Sequence, residues 1–186
     1  SSGYRIGPSE IEPDDHESMV RLLCYADRFE IEAVITGSGW NTSGRTYPPE
    51  WMDILRGTLD AYEKDVPNLM KRSAQTGFRA DEEQQELGYW PSPAYLRSRA
   101  MLGSPGLGFA ALGEGNDSAG SEFLIRLAAE PDPRPIWVCV WGGANTFAQA
   151  VWRLQQQGNP ERLKAFLHKF RVYTITDQDK DWGKDV

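Results

Sequence analysis

An almost wholly apolar run, Ile136 to Trp141, constrains the fold of this chain more than any other segment. Apolar residues that do not alternate with polar ones are typical of a parallel strand that is buried on both faces. Gly142-Gly143 ends the run, and a helix-forming segment at residues 144–157 follows it. Because parallel strands need crossover connections, this order predicts an α/β fold with a mostly parallel sheet flanked by helices.

The rest of the chain continues the alternation of strands and helices. Ile31–Thr36 and Val172–Ile175 are short β-rich runs and predict two more strands. Helical patterns predict further helices at residues 14–29, 49–64, 93–101, 118–130 and 160–170. The 186 residues suffice for one domain with a real core. Because neither end reads as a finished α/β unit, we expect residues 1–186 to be a single domain that forms the N-terminal portion of a larger one.

Charge and composition exclude several classes of function. The net charge of −7 argues against non-specific nucleic-acid binding, which needs a basic face. No apolar run approaches the roughly 20 residues of a membrane span, and Ser1 opens no signal-peptide pattern. Cys24 and Cys139 lie in apolar segments and are predicted to be small buried hydrophobic residues. Compartment and oligomeric state stay open, and a homo-oligomer is compatible with the sequence.

Two adjacent carboxylates, Asp14 and Asp15, precede the apolar part of the first predicted helix. Ionised neighbours repel, so the fold must supply a cation, a helix N-terminus or several hydrogen-bond donors. Because the chain has only two histidines, an oxygen-ligated ion such as calcium or magnesium fits better than zinc. The alternative is a capping box between Asp14 and Glu17, following Pro13. Asp15 favours a site, because a cap needs only one carboxylate.

Three loops are expected to meet at the carboxyl ends of the strands, where open α/β sheets bind ligands. They are the Asp14-Asp15 turn, the loop that carries Ser38, Trp40 and Asn41, and the segment Trp141–Thr146. The double glycine lets the backbone approach a ligand, although a plain turn capped by Asn145 or Thr146 is the alternative. Gln178 and Asp179, after the last strand, either join this site or form a solvated acidic loop. The Gly-rich segment 103–120 is expected to loop close to it.

The seven tryptophans raise a choice between packing and ligand binding. Trp137 and Trp152 fit core positions. Trp40, Trp90 and Trp141 lie at predicted loops or strand ends, where an aromatic ring can stack on a sugar or a base. Most such tryptophans are packing residues, so each ligand assignment competes with an ordinary core role.

Four segments together resemble one family. They are Glu12-Pro13-Asp14-Asp15 through Tyr25, Arg134–Val138, Trp141–Ala150 and Tyr173–Asp179. In this order they are similar to the signature segments of the nucleoside-hydrolase-like family that is often described as cellulose-binding. The resemblance covers nearly the whole chain. It implies an α/β fold related to that of the nucleoside hydrolases, which are calcium-dependent N-glycosidases.

The resemblance also implies a metal and a reaction. Asp14 and Asp15 match the paired aspartates that bind calcium in the relatives, and one of them would take the proton of the attacking water. Asn145 falls where a main-chain carbonyl completes the calcium shell. A further aspartate of the relatives is absent here, since Glu10 and Ile11 occupy its region, and the segment with their C-terminal aspartate is missing too. The predicted substrate contacts are Trp40, Asn41, Trp141, Asn145, Gln178 and Asp179.

The expected function is hydrolysis of an N-glycoside-type bond in a sugar or nucleoside-like small molecule, assisted by a divalent cation. One alternative is a carbohydrate-binding or cellulose-binding protein without turnover. Another is an inert remnant or an assembly domain. A metal-dependent activity screen separates the first two, since a binding module turns nothing over. The resemblance is compatible with a secreted or periplasmic protein.

Overall fold

A computed structural model describes residues 13–39, 52–79 and 85–175 of the chain. Contacts divide the chain into two compact units, the first made of Ser1–Thr36 and Pro49–Met101 and the second of Gly37–Pro48 and Leu102–Val186. The described residues form the helices α1 (Pro13–Leu23), α2 (Met52–Arg72), α3 (Pro93–Arg99), α4 (Ala119–Leu127), α5 (Asn145–Gln156) and α6 (Pro160–Lys169). Their strands are β1 (Val34–Thr36), β2 (Ala100–Leu102), β3 (Ile136–Val140) and β4 (Phe170–Thr174).

In the first unit, α2 packs against both α1 and α3. The apolar stripe of α2 continues to Val66, which is 1% exposed, and the helix runs through Pro67 to Arg72. The Tyr62 hydroxyl donates to the carbonyl of Pro91 at 2.7 Å. This unit buries an apolar core that comprises Met19, Leu23, Ala26, Ile31, Met52, Leu55, Leu59, Tyr62, Val66, Trp90, Tyr95 and Leu96.

Side-chain hydrogen bonds tie the chain between α1 and β1 to the segment before α3. The Gln85 amide donates to the carbonyls of Ala26 and Phe29 and accepts from the N–H of Ile31 at 3.0 Å. The buried Tyr95 hydroxyl donates to the carbonyl of Ile31 at 2.8 Å. These bonds satisfy main-chain groups of the segment between α1 and β1, and such groups are costly to leave unpaired where they are buried.

In the second unit, β3 and β4 pair in parallel, in a register that runs from Ile136 opposite Phe170 to Val140 opposite Thr174. Helix α5 packs against α4 and α6, and α6 packs against β4. The rings of Phe147, Phe166 and Phe170 form a cluster with centroid separations of 4.8–5.6 Å. The cluster lies under one face of this strand pair, where Val140 and Phe170 are buried.

Three sequence predictions of burial are wrong. Cys24, directly after α1, is exposed. The other two residues lie on the opposite face of the β3–β4 pair, which is exposed in this structure. Trp137 is 67% exposed and does not occupy a core position. Cys139 is exposed on the same face, so it is not a buried hydrophobic residue. The physical reason is that side chains alternate along a strand, and the described helices of the unit cover only the other face. Tyr173, paired with Cys139, is 59% exposed.

The α/β fold class and the parallel pairing of β3 with β4 are confirmed. The predicted helix at residues 93–101 ends earlier, because Ala100–Leu102 forms β2 and pairs with β1. None of the described helices has the length and apolar character that a membrane span requires.

Candidate functional site: three loops and a glycine-rich segment

Three loops of the second unit meet in what we call the loop junction, made of residues 37–39, 103–105 and 142–146. Each loop follows a strand in the sequence: β1, β2 and β3 respectively. The Ser38 N–H donates to the carbonyl of Ser104 at 3.0 Å, and its hydroxyl donates to the carbonyl of Pro105 at 2.6 Å. The Ser104 N–H in turn donates to the Thr146 hydroxyl at 2.9 Å. Hydrogen bonds therefore hold all three loops together.

Gly37 and Gly143 lie where the loops of the junction approach each other so closely that little room is left for a side chain. A Cβ added at Gly143 would lie 2.5 Å from the Ser38 carbonyl oxygen, closer than real Cβ atoms approach. A Cβ at Gly37 would lie 3.3 Å from the Ser104 oxygen and 3.4 Å from the Thr146 hydroxyl oxygen. The predicted close approach at the double glycine is thus made to another loop of the protein.

One polar group of the junction has no partner in the described part of the chain. Ser104 is 1% exposed, and its hydroxyl makes no hydrogen bond there, although its N–H and carbonyl are both paired. A buried hydroxyl without a partner costs about 1–3 kcal/mol. Such groups in native structures are candidates for contact with a ligand or a water molecule.

Helix α5 holds the glycine-rich segment through two buried carboxamides, which we call the amide clamp. The Asn145 side chain accepts from the Gly108 N–H and donates to the Gly108 carbonyl, both at 2.9 Å. One helical turn later, the Gln149 side chain makes the same pair of bonds to Gly113, both at 2.9 Å. The two side chains are 1% and 0% exposed. The alternative that Asn145 or Thr146 caps the helix is wrong, since α5 has no side-chain cap.

A charged group extends the amide clamp by one more turn of α5. Arg153 contacts Glu114 at 2.9 Å and Asp117 at 2.5 Å, and Gln149 donates to Asp117 at 2.8 Å. The hydrogen bond from Arg153 holds the pKa of Asp117 below its usual range, and the bond from Gln149 acts in the same direction against the effect of burial. Because residues four apart share one helix face, Asn145, Gln149 and Arg153 form a single polar stripe.

The predicted site residues have different outcomes. Trp141 lies directly after β3 and is 37% exposed. Asp15 is half-buried on α1. Trp90 is 9% exposed in the core of the first unit, so it is not a ligand platform. The side chain of Asp14 and the whole of Trp40, Asn41, Gln178 and Asp179 lie outside the described residues.

The calcium hypothesis stays a prediction. Within residues 13–39, 52–79 and 85–175, no three Asp, Glu, His or Cys side chains are grouped so that they could hold a metal ion. The described residues alone therefore do not make a calcium shell, which would need carboxylates outside them, Asp14 first. The side chain of Asn145 is engaged by Gly108, which leaves its predicted roles as substrate contact and carbonyl ligand untested.

Sequence comparison places the chain in a family. The model of the family described as cellulose-binding Sde182, nucleoside hydrolase-like domain, matches residues 8–184. The chain belongs to this family. Membership of the Sde182-like family confirms the resemblance of the signature segments.

A solved structure agrees with this assignment. It is described as a nucleoside hydrolase-related hypothetical protein from Saccharophagus degradans that is associated with carbohydrate metabolism. This chain is 37% identical to it, with a TM-score of 0.75 over 91% of this chain. The match spans 37% of the solved chain, so the present sequence covers little more than a third of the length of that protein. A search of functionally curated proteins gives no match.

Sequence reasoning missed the residues that organise this region, namely Ser104, Gln149 and the two glycines of the clamp. A signal for Gln149 was present. Polar residues at positions 145, 149 and 153 recur every four residues on a helix that is otherwise largely apolar. Ser104 gives no such signal, because a serine in a loop is ordinary.

Proposed function

We propose that this protein binds a sugar-containing small molecule at the loop junction and hydrolyses a glycosidic bond in it. The observation that carries the proposal is the meeting of three loops, each of which follows a strand. They lie beside an exposed Trp141 and a buried Ser104 hydroxyl that has no hydrogen-bond partner among the described residues. The carboxyl ends of strands are where open α/β sheets bind ligands. Membership of a nucleoside-hydrolase-like family is what suggests hydrolysis of a glycosidic bond as the reaction.

The proposed roles follow from side-chain chemistry. Trp141 offers a ring face for the apolar C–H face of a sugar, and the Ser104 hydroxyl is available to a ligand hydroxyl. Asp14 or Asp15 acts as general base toward water, and both would hold the cation. Bound calcium would supply a positive charge that orients sugar hydroxyls and the attacking water. Trp40, Asn41, Gln178 and Asp179 are the further proposed contacts to substrate.

The first experiment measures turnover of p-nitrophenyl ribofuranoside and inosine, with calcium and with a chelator. We expect calcium-dependent release of nitrophenol or hypoxanthine that Asp15→Asn abolishes. An Asp53→Asn variant is the matched control, because Asp53 is an exposed carboxylate in the first turn of another helix. Equal rates in wild type and Asp15→Asn would refute the assigned role of Asp15.

The second experiment tests the cation apart from activity. A ligand that binds only the folded state raises its stability, by about 2.7 kcal/mol at a hundredfold excess over its Kd. We expect millimolar calcium to raise the melting temperature of wild type but not of Asp15→Ala. Asp14→Asn should keep much of any helix cap, because Asn caps nearly as well as Asp. If calcium leaves the melting temperature of wild type unchanged, the alternative that Asp14 and Glu17 form a capping box is favoured.

Carbohydrate binding without turnover is the second candidate. It is favoured by the cellulose-binding description of the family. Isothermal titration with cellotetraose distinguishes the two candidates. Binding of cellotetraose together with no turnover of either glycoside would select this second function.

A further inference from the structure

The glycine-rich segment that the amide clamp holds has one defined main-chain shape. Gly108 and Gly113 have φ values of 79° and 130°, which other residues rarely adopt. A Cβ at Gly106 would lie 2.6 Å from the Cβ of Ala111, so the turn between them is tightly closed. Both carboxamides pair with the N–H and the carbonyl of the same glycine, which fixes its peptide groups in orientation as well as in position.

This fixed segment carries an exposed aromatic ring. Phe109 directly follows Gly108, opens the short 3-10 turn Phe109–Ala111 and is 60% exposed. Through Gly108 it is tied to Asn145, which lies only four residues after Trp141. An exposed apolar residue is unremarkable by itself. Here, however, two buried amides hold its main chain rigidly in the segment that also contains Ser104.

Rigid presentation has a physical consequence for binding. A side chain on a mobile loop must lose conformational freedom when it contacts a ligand, which weakens binding, whereas a loop fixed beforehand avoids that loss. Phe109 and Trp141 are both large exposed aromatic residues of the second unit. Each is close in the chain to a residue at the start of α5, since Gly108 bonds to Asn145 and Trp141 precedes Asn145 by four residues. Aromatic rings suit a ligand with an apolar face, such as the C–H face of a sugar or a planar base.

We propose that Phe109 is an aromatic wall of the ligand site and that Asn145 and Gln149 are positioning residues that hold it through Gly108 and Gly113. The proposal rests on the proposed function, since it assumes a sugar-containing ligand at the loop junction. It assigns the side chains of Asn145 and Gln149 to the loop rather than to the ligand.

The binding test uses cellotetraose and inosine as probes of the two sugar sources, with wild type, Phe109→Ala, Phe109→Tyr and Phe78→Ala. Phe78 is the matched control, because it is 44% exposed and belongs to the first unit. We expect Phe109→Ala to weaken binding of the probe about tenfold, because it removes an aromatic contact of about 1.4 kcal/mol. Phe109→Tyr should restore the affinity, and the melting temperatures of both variants should equal that of wild type. Phe78→Ala should bind like wild type.

The positioning test needs no ligand. Hydrogen exchange at residues 105–116 should become faster in Asn145→Ala and, more mildly, in Asn145→Asp, which keeps the acceptor for Gly108 but loses the donor. In a double-mutant cycle, Asn145→Asp combined with Phe109→Ala should bind the probe no more weakly than Phe109→Ala alone. A general structural defect would instead add its own loss.

The outcomes separate the two proposals. If wild type binds a probe and Phe109→Ala binds it equally well, the wall at Phe109 is refuted while the proposed function stands. Unchanged hydrogen exchange in both Asn145 variants refutes the positioning role. If wild type binds neither probe, the proposed function and the ligand role of Phe109 are both refuted.

Discussion

The sharpest stability prediction concerns Gln149, whose side chain is fully buried and makes three hydrogen bonds. In Gln149→Leu the volume is nearly kept and all three bonds are lost. Two bonds join neutral main-chain groups of Gly113, and the third reaches the carboxylate of Asp117. At about 0.5–1.5 kcal/mol for each neutral bond and about 1.5–3 kcal/mol for the charged one, the gross loss is about 2.5–6 kcal/mol.

Part of that loss is offset because leucine gains from burial, by about 1–2 kcal/mol relative to a polar side chain. We therefore expect Gln149→Leu to lower the free energy of unfolding by about 3 kcal/mol, which corresponds to about 6–12 °C in melting temperature for a chain of this size. The assay is urea unfolding at pH 7, followed by tryptophan fluorescence and circular dichroism. An unchanged m-value would show that the difference lies in stability.

A matched control and a charge variant make the reasoning refutable. Gln155→Leu changes an exposed glutamine on the same helix and should alter stability by less than about 0.5 kcal/mol. Gln149→Glu places a second carboxylate beside Asp117, so its defect should be larger at pH 7 than at pH 5, where the buried acid takes up a proton. If Gln149→Leu is as stable as Gln155→Leu, the amide clamp contributes nothing and the reasoning is wrong.

Three further predictions concern other contacts. Gly143→Ala places a Cβ against a main-chain oxygen, so it should lower the free energy of unfolding in urea by about 1–3 kcal/mol. The control Gly57→Ala, which has open space around it in α2, should raise that free energy by up to about 1 kcal/mol. Equal effects of the two variants would contradict the close approach at Gly143. Arg153 lowers the pKa of Asp117 in the folded state. The stability advantage of wild type over Asp117→Asn should therefore be present above the unfolded-state pKa of about 3.9 and shrink as the pH falls below it. An advantage that stays constant from pH 7 to pH 3 would refute this. Tyr62→Phe should lower the free energy of unfolding by about 1–3 kcal/mol, because a buried carbonyl loses its donor, and an unchanged urea midpoint would show that the bond is not needed.

Local pattern sufficed for most of the fold. The helix at α5 and the strands β3 and β4 were predicted to within a few residues, because apolar periodicity and the double glycine mark them. Helix α2 was predicted to end at residue 64 but continues through Pro67. The buried residues along α2 together offset the local cost of proline, and their burial is not visible in the sequence. Strand β2 was missed because its three residues become a strand only by pairing with β1.

The candidate site was predictable only in outline. The expected meeting of the loops around Ser38 and Gly143 is confirmed by their contact, and segment 103–120 also reaches them through Ser104. That a ligand binds there stays a prediction. Which groups bond to which could not be predicted, since the pairing of Asn145 with Gly108 joins residues far apart in the chain. The predicted core position of Trp137 is wrong for a related reason. The sequence of an apolar strand does not indicate which of its two faces the helices cover.

Within residues 108–113 the amide clamp bonds only to main-chain atoms, and this has a consequence for how the segment can vary. Asn145 and Gln149 recognise the peptide groups of Gly108 and Gly113 and make no demand on the side chains between them. Positions 109, 110 and 112 can therefore exchange their residues while the path of the backbone is retained, provided that the glycines and the two amides remain. Such an arrangement uncouples the shape of a loop from its composition, and it makes this segment a natural place to graft new recognition chemistry onto an otherwise unchanged domain.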